Sequence, residues 1–190
     1  MLGWFKRKPE PPGIRSLTSE QLTAICDRSW YPATGKYAER VSAENELAAR
    51  GPEIRDWCRR LLVHPDYDAR EAGTFFLGQL GARGQLGDAV EAVVAELGAL
   101  TRRPVEEDCK ETQAVGAAID ALAEIGHPAG VLHLRDVLFS EDEFLIGDTQ
   151  WNAAEALGRL TGQSVMESPD PVDAARSWLS SQQAPGGIPA

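Results

Sequence analysis

The chain has 190 residues, 43% of them hydrophobic, and a formal net charge of −10, values that suit one domain with a well-buried core. No window holds the roughly eighteen successive apolar residues of a membrane-spanning helix, and no apolar signal core precedes a cleavage site, so a cytoplasmic chain is expected. The acidic balance disfavours nucleic acid, whose phosphates are held by clustered Lys and Arg, and favours a basic protein as partner.

Residues 1–16 carry Lys6, Arg7, Lys8 and Arg15 against Glu10 alone, which leaves −13 on the remainder. With Trp4, Phe5, Pro9, Pro11 and Pro12 among them, they read as a flexible basic tail, because no regular element accommodates that proline run. One short aromatic and basic patch gives a membrane surface only weak attraction without a second anchor. Thr18-Ser19-Glu20-Gln21 has the form of a capping box, Thr18 at the N-cap and Gln21 at N3. A first helix is expected from there to about Arg28.

Beyond the Trp30-Tyr31-Pro32 loop the chain reads as helix after helix, with no convincing strand alternation. Leu47, Leu77, Leu122 and Leu157 recur at intervals of 30, 45 and 35 residues, each closing the first helix of a pair. Gly51, Gly81 and Gly126 are expected to stop these helices in the left-handed conformation, with Gly162 doing so one residue later in the last pair. Pro52, Pro128 and Pro171 then fall where second helices begin, the position at which proline's missing N–H costs nothing. Apolar stripes mark the second helices: Ile54, Trp57, Cys58, Leu61 and Leu62; Val90, Val93, Val94 and Leu97; Val131, Leu134 and Leu138; Val172, Ala175, Trp178 and Leu179. Residues 183–190 are expected to be disordered.

The paired helices, the small-residue run Asn152-Ala153-Ala154-Glu155-Ala156-Leu157-Gly158-Arg159-Leu160 and the similar Asp68-Ala69-Arg70-Glu71-Ala72 opening resemble HEAT-like repeats over roughly residues 36–182. The ending, Leu160-Thr161-Gly162 followed by Asp173 and Trp178, is similar to the closing repeat of many bacterial HEAT-like proteins. The resemblance implies an all-α fold: an α-solenoid of about four helical hairpins preceded by one N-terminal helix, spanning residues 17–182, with second helices lining the concave side. The pattern is specific for fold and uninformative about activity; a non-catalytic binder of a basic protein is the leading expectation, and by analogy small acidic HEAT-like proteins look like immunity proteins that sequester a toxin or effector. Bilin lyases and a group of DNA glycosylases also carry such repeats, so a lyase-like enzyme subunit is the alternative, and a general assembly scaffold a third reading.

Two inserts depart from a regular array, at Thr101 to Glu111 and Ser140 to Asp148. Loops between successive pairs lie along one edge of such a stack, where a binding site is readily built. Glu106, Glu107 and Asp108 in one insert, and Glu141, Asp142 and Glu143 in the other, are the candidate partner-binding acids, joined by Asp66 and Asp68 in an acidic ridge. The competing reading is solubility and helix capping, with Asp68 and Asp148 as N-caps. Phe144-Leu145-Ile146 either folds back over the core or is exposed. Trp151 lies about 120° round the helix from the Ala153, Ala154, Leu157, Leu160 stripe, hence away from its own core, and joins Phe144 as a candidate anchor. The alternative surface is the second-helix face carrying Arg55, Arg59, His133 and Arg176.

Nothing in the sequence points to catalysis. Cys26, Cys58 and Cys109 lack the spacing of a zinc site or a disulfide framework and are expected to be free thiols. His64 and His127 fall on opposite edges, His133 stands alone, and no HExxH, GxSxG or phosphate-binding loop is present. No metal or cofactor is therefore expected, and a monomer apart from its partner.

Overall fold

The computed structural model describes residues 13–28, 37–103 and 109–182. These contain nine α-helices and no strand, an all-α arrangement of helical hairpins in keeping with an α-solenoid. They divide into two compact units, residues 1–54 and 55–190. The basic tail up to residue 12, the Trp30-Tyr31-Pro32 loop, Glu106, Glu107 and Asp108, and residues 183–190 lie outside the described residues.

In the first unit a 3-10 turn, Ile14–Ser16, leads to α1 (Ser19–Asp27). The capping box forms in full: the Gln21 N–H donates to Thr18 Oγ1 at 3.2 Å, and the Thr18 N–H donates to Gln21 Oε1 at 2.8 Å, so two otherwise orphaned donors are satisfied. α1 packs on α2 (Tyr37–Leu47), and Leu22, Cys26, Ala43 and Leu47 are wholly buried. Arg50 ties the entry to the exit by donating to the Leu17 carbonyl at 2.8 Å. Burial pushes the Cys26 thiol up to about 12, with Glu44 and Asp27 adding to the shift and Arg40 opposing it. A thiol held protonated in this way is inert as a nucleophile. Gly51 takes the left-handed conformation, φ 80°, and stops the chain ahead of the 3-10 turn Pro52–Ile54.

The second unit holds α3 (Arg55–Leu61), α4 (Tyr67–Ala82), α5 (Val90–Thr101), α6 (Cys109–Ile125), α7 (Gly130–Leu138), α8 (Asp148–Thr161) and α9 (Pro171–Gln182). The first helices α4, α6 and α8 stack side by side, α4 and α6 most closely, while α5 and α7 each pack chiefly on the first helix that follows them. The core follows the leucine register. Leu77, Leu122 and Leu157 are fully buried, together with Val93, Leu97, Ile119, Leu134 and Leu138.

Glycine explains how tightly the first-helix layer closes, and it corrects one expectation. Gly126 and Gly162 take the left-handed conformation, but Gly81 does not; Gly84, three residues later, does so instead, with φ 67°. Gly81 remains inside α4, where a β-carbon would stand 3.0 Å from Ile125 Cα. At Gly78 it would stand 3.1 Å from Ala121 Cα. Both glycines let α4 and α6 approach more closely than any larger residue permits.

The capping assignments also change. Asp66, not Asp68, is the N-cap of α4, its Oδ1 accepting from the Asp68 N–H at 2.9 Å and the Ala69 N–H at 3.3 Å. Asp148 is the first residue of α8, whose N-cap is Gly147 with φ 89° and ψ −118°, a conformation essentially closed to other residues. Pro171 opens α9, whereas Pro128 stands two residues ahead of α7.

A candidate interaction edge

The loop between α7 and α8 is built, not slack. The Asp142 N–H donates to Ser140 Oγ at 3.2 Å, and Asp142 Oδ1 accepts the Phe144 N–H at 3.0 Å. The Asp142 carbonyl then accepts from the Leu145 N–H at 2.9 Å and the Ile146 N–H at 3.2 Å. The loop is anchored from beneath by Gln150, only 3% exposed, whose amide donates to the Ser140 carbonyl at 3.0 Å. Arg176 on α9 completes the clamp, donating to the Leu138 carbonyl at 2.7 Å and to Gln150 Oε1 at 3.1 Å. Buried polar groups satisfied in this way fix one loop geometry.

That geometry separates the apolar run. Leu145 turns inward and is 5% exposed, while Phe144 and Ile146 remain 40% and 57% exposed. Trp151 on the first turn of α8 is 44% exposed, and Phe139 at the loop entrance 46%. Glu141, Glu143 and Asp148 are exposed around them. Of the acids in this loop, Asp142 is the exception, half-buried with one carboxylate oxygen committed to the loop. The structure therefore brings Glu141, Glu143, Phe144 and Trp151 into one segment, adds Phe139 and Ile146, and assigns Asp142 to support. Asp66 is likewise spent on capping α4.

The alternative second-helix face is occupied by internal cross-braces. Arg55 donates to the Leu86 carbonyl at 3.0 Å, and Arg59 pairs with Glu96. Arg102 meets the His133 imidazole at 2.9 Å and Asp136 at 3.2 Å. Burial, then the Arg102 charge, lowers the His133 pKa against a smaller opposing effect of Asp136, so the neutral ring is favoured.

His64 and His127 perform a local task. Each precedes a proline, and each Nδ1 accepts the N–H two residues on, from Asp66 at 3.0 Å and from Ala129 at 3.3 Å. Among the described residues no group of three or more His, Cys, Asp and Glu is placed to hold a metal ion, and none of their helices is long and apolar enough to cross a membrane. Arg70 was not singled out in the sequence. It is 2% exposed, donates to the His64 and Pro65 carbonyls at 2.5 and 2.8 Å, and pairs with Glu111 at the start of α6.

Residues 115–140, which cover most of α6 and all of α7, match the PBS lyase HEAT-like repeat. With the stacked hairpins around it, this makes the chain a HEAT-like helical-repeat protein. No curated protein and no solved structure matches. The match covers a single hairpin, which specifies architecture and not activity.

Proposed function

We propose that the chain is a non-catalytic binding module that docks a basic protein on the edge formed by residues 139–151. The observation that carries this reading is the exposure of Phe139, Phe144, Ile146 and Trp151 within thirteen residues, framed by Glu141, Glu143 and Asp148. Aromatic anchors within a charged rim are the composition of binding hot spots. A stoichiometric inhibitor of a toxin or effector is the particular role proposed, since an acidic cytoplasmic binder of this size suits the masking of a basic active surface.

The test is purification of the full chain with its bound protein, followed by association kinetics. The co-purifying protein should be basic, and Glu141→Lys with Glu143→Lys should slow association in a salt-dependent way. Trp151→Ala should chiefly raise the off-rate, by about 2 kcal/mol or more for an anchor. A partner whose kinetics ignore salt and all three substitutions binds elsewhere and refutes the reading.

A further inference from the structure

A second surface of opposite character lies on the same unit. The backbones of α3 and α5 approach less closely than those of α5 and α7, for a local reason. α5 meets α7 where Gly98, lacking a side chain, receives the His133 ring. Between α3 and α5 the long side chains of Arg59 and Glu96 meet instead. The result is an open groove of about 520 Å³ towards the C-terminal ends of both helices, within the usual range of ligand clefts, about 300 to 1,000 Å³.

Its lining is apolar below and cationic at the rim. Leu62, Val63 and Leu100 supply apolar surface, and Val63 is 75% exposed. Arg59, Arg60 and Arg103 stand against Asp56 and Glu96, and Glu96 is consumed by Arg59. Among the described residues Arg60 reaches only the Asp56 carbonyl, at 3.4 Å. Asp56 pairs with Arg55 at 3.5 Å, which leaves Arg60 and Arg103 as the lining charges outside these pairs, and the roughly half negative charge that each helix C-terminus brings cancels only part of them. Two arginines left outside the ion pairs, beside apolar surface, set this groove apart on a chain of charge −10.

We infer that this groove binds a peptide segment in which a carboxylate side chain neighbours a large apolar one, the carboxylate on Arg60 and Arg103 and the apolar group on Val63 and Leu100. Charge complementarity selects the acid, since a guanidinium holds a carboxylate through paired N–H donors. The apolar floor selects a side chain over a small inorganic anion. A nucleic acid is disfavoured by the acidic remainder of the chain, which repels a polyanion.

The test is selection of a phage-displayed random dodecapeptide library on the full chain, with selected peptides synthesised and titrated against variants. Asp or Glu beside Leu, Ile, Phe or Trp should be enriched, and Arg60→Glu with Arg103→Glu should weaken those peptides at least tenfold. Val63→Asp should weaken them comparably, and unchanged thermal unfolding of each variant excludes a folding defect. Glu141→Lys with Glu143→Lys should leave them unaffected, which separates this groove from the acidic edge. Absence of acidic–apolar enrichment, equal affinity for the Asp/Glu→Asn/Gln peptides, or affinity surviving the arginine reversals would overturn the proposal. A short oligonucleotide competing for the same arginines at physiological salt would overturn it in favour of a polyanion.

Discussion

The first-helix and second-helix layers of residues 55–190 solve the same packing problem in opposite ways. α4 and α6 close on each other through Gly78, Gly81 and Ala121, backbone nearly against backbone. In the other layer α3 and α5 are spaced by Arg59 and Glu96, and Arg102 to Asp136 and Arg176 to the Leu138 carbonyl add braces further along, while α5 and α7 come close only where Gly98 receives the His133 ring. Small residues give a dry interface whose energy resides in dispersion and apolar burial. Cross-braces of arginine hold spacing and register at little net gain, since exposed ion pairs contribute about 0 to 1 kcal/mol, and they leave grooves. Both layers bury apolar side chains against each other, but the close backbone contact lies in the first-helix layer, and open surface lies in the other and at the loop edge.

The largest effect is expected in the closed layer. Leu122→Ala, at a fully buried position, should cost about 2 to 5 kcal/mol in urea denaturation. A near-neutral result would mean that α6 is not the centre of the core. At the edge the balance reverses: Trp151→Ala should change unfolding by less than about 0.5 kcal/mol, as surface substitutions do, while weakening the complex. A large loss of stability there would show that Trp151 is a packing residue.

Gly81→Val sharpens the contrast, because it adds bulk where a β-carbon already stands 3.0 Å from Ile125 Cα. Overpacking of this kind costs about 1 to 3 kcal/mol, despite valine's better helix propensity. Arg59→Met, in the open layer, should cost under about 1 kcal/mol; a loss like that of Leu122→Ala would erase the distinction.

The smallest effect concerns His133. Its lowered pKa means that the unfolded chain takes up a proton first as pH falls below about 6.5, the ordinary histidine value. Stability should be level above that pH and decline below it until the folded ring also protonates. His133→Gln should flatten this decline between pH 7.5 and 5.5, measured by urea denaturation.

The sequence carried the leucine register and the capping box because both are local or strictly periodic signals. It misplaced the stop of α4 because Gly81 and Gly84 stand three residues apart, and only the approach of α6 decides which one is needed for packing. Asp66 and Asp68 posed the same ambiguity at the other end of that helix. At the candidate edge, spacing correctly placed Trp151 off the core stripe, but a run such as Phe144-Leu145-Ile146 does not reveal which member turns inward. That choice depends on the Asp142 turn, on Gly147 and on the Gln150–Arg176 clamp, whose partners are distant in sequence. Overall charge likewise concealed the arginine groove, since Arg60 and Arg103 come to line one groove only when α3 and α5 align.

Amide hydrogen exchange of the full chain with and without its co-purified protein would locate the docking edge proposed for residues 139–151. Slowed exchange should concentrate in the 139–147 loop and the first turn of α8, with the amides of the Asp142 turn most affected. Protection confined to α3 and α5, with residues 139–151 exchanging as in the free chain, would place the docking surface elsewhere.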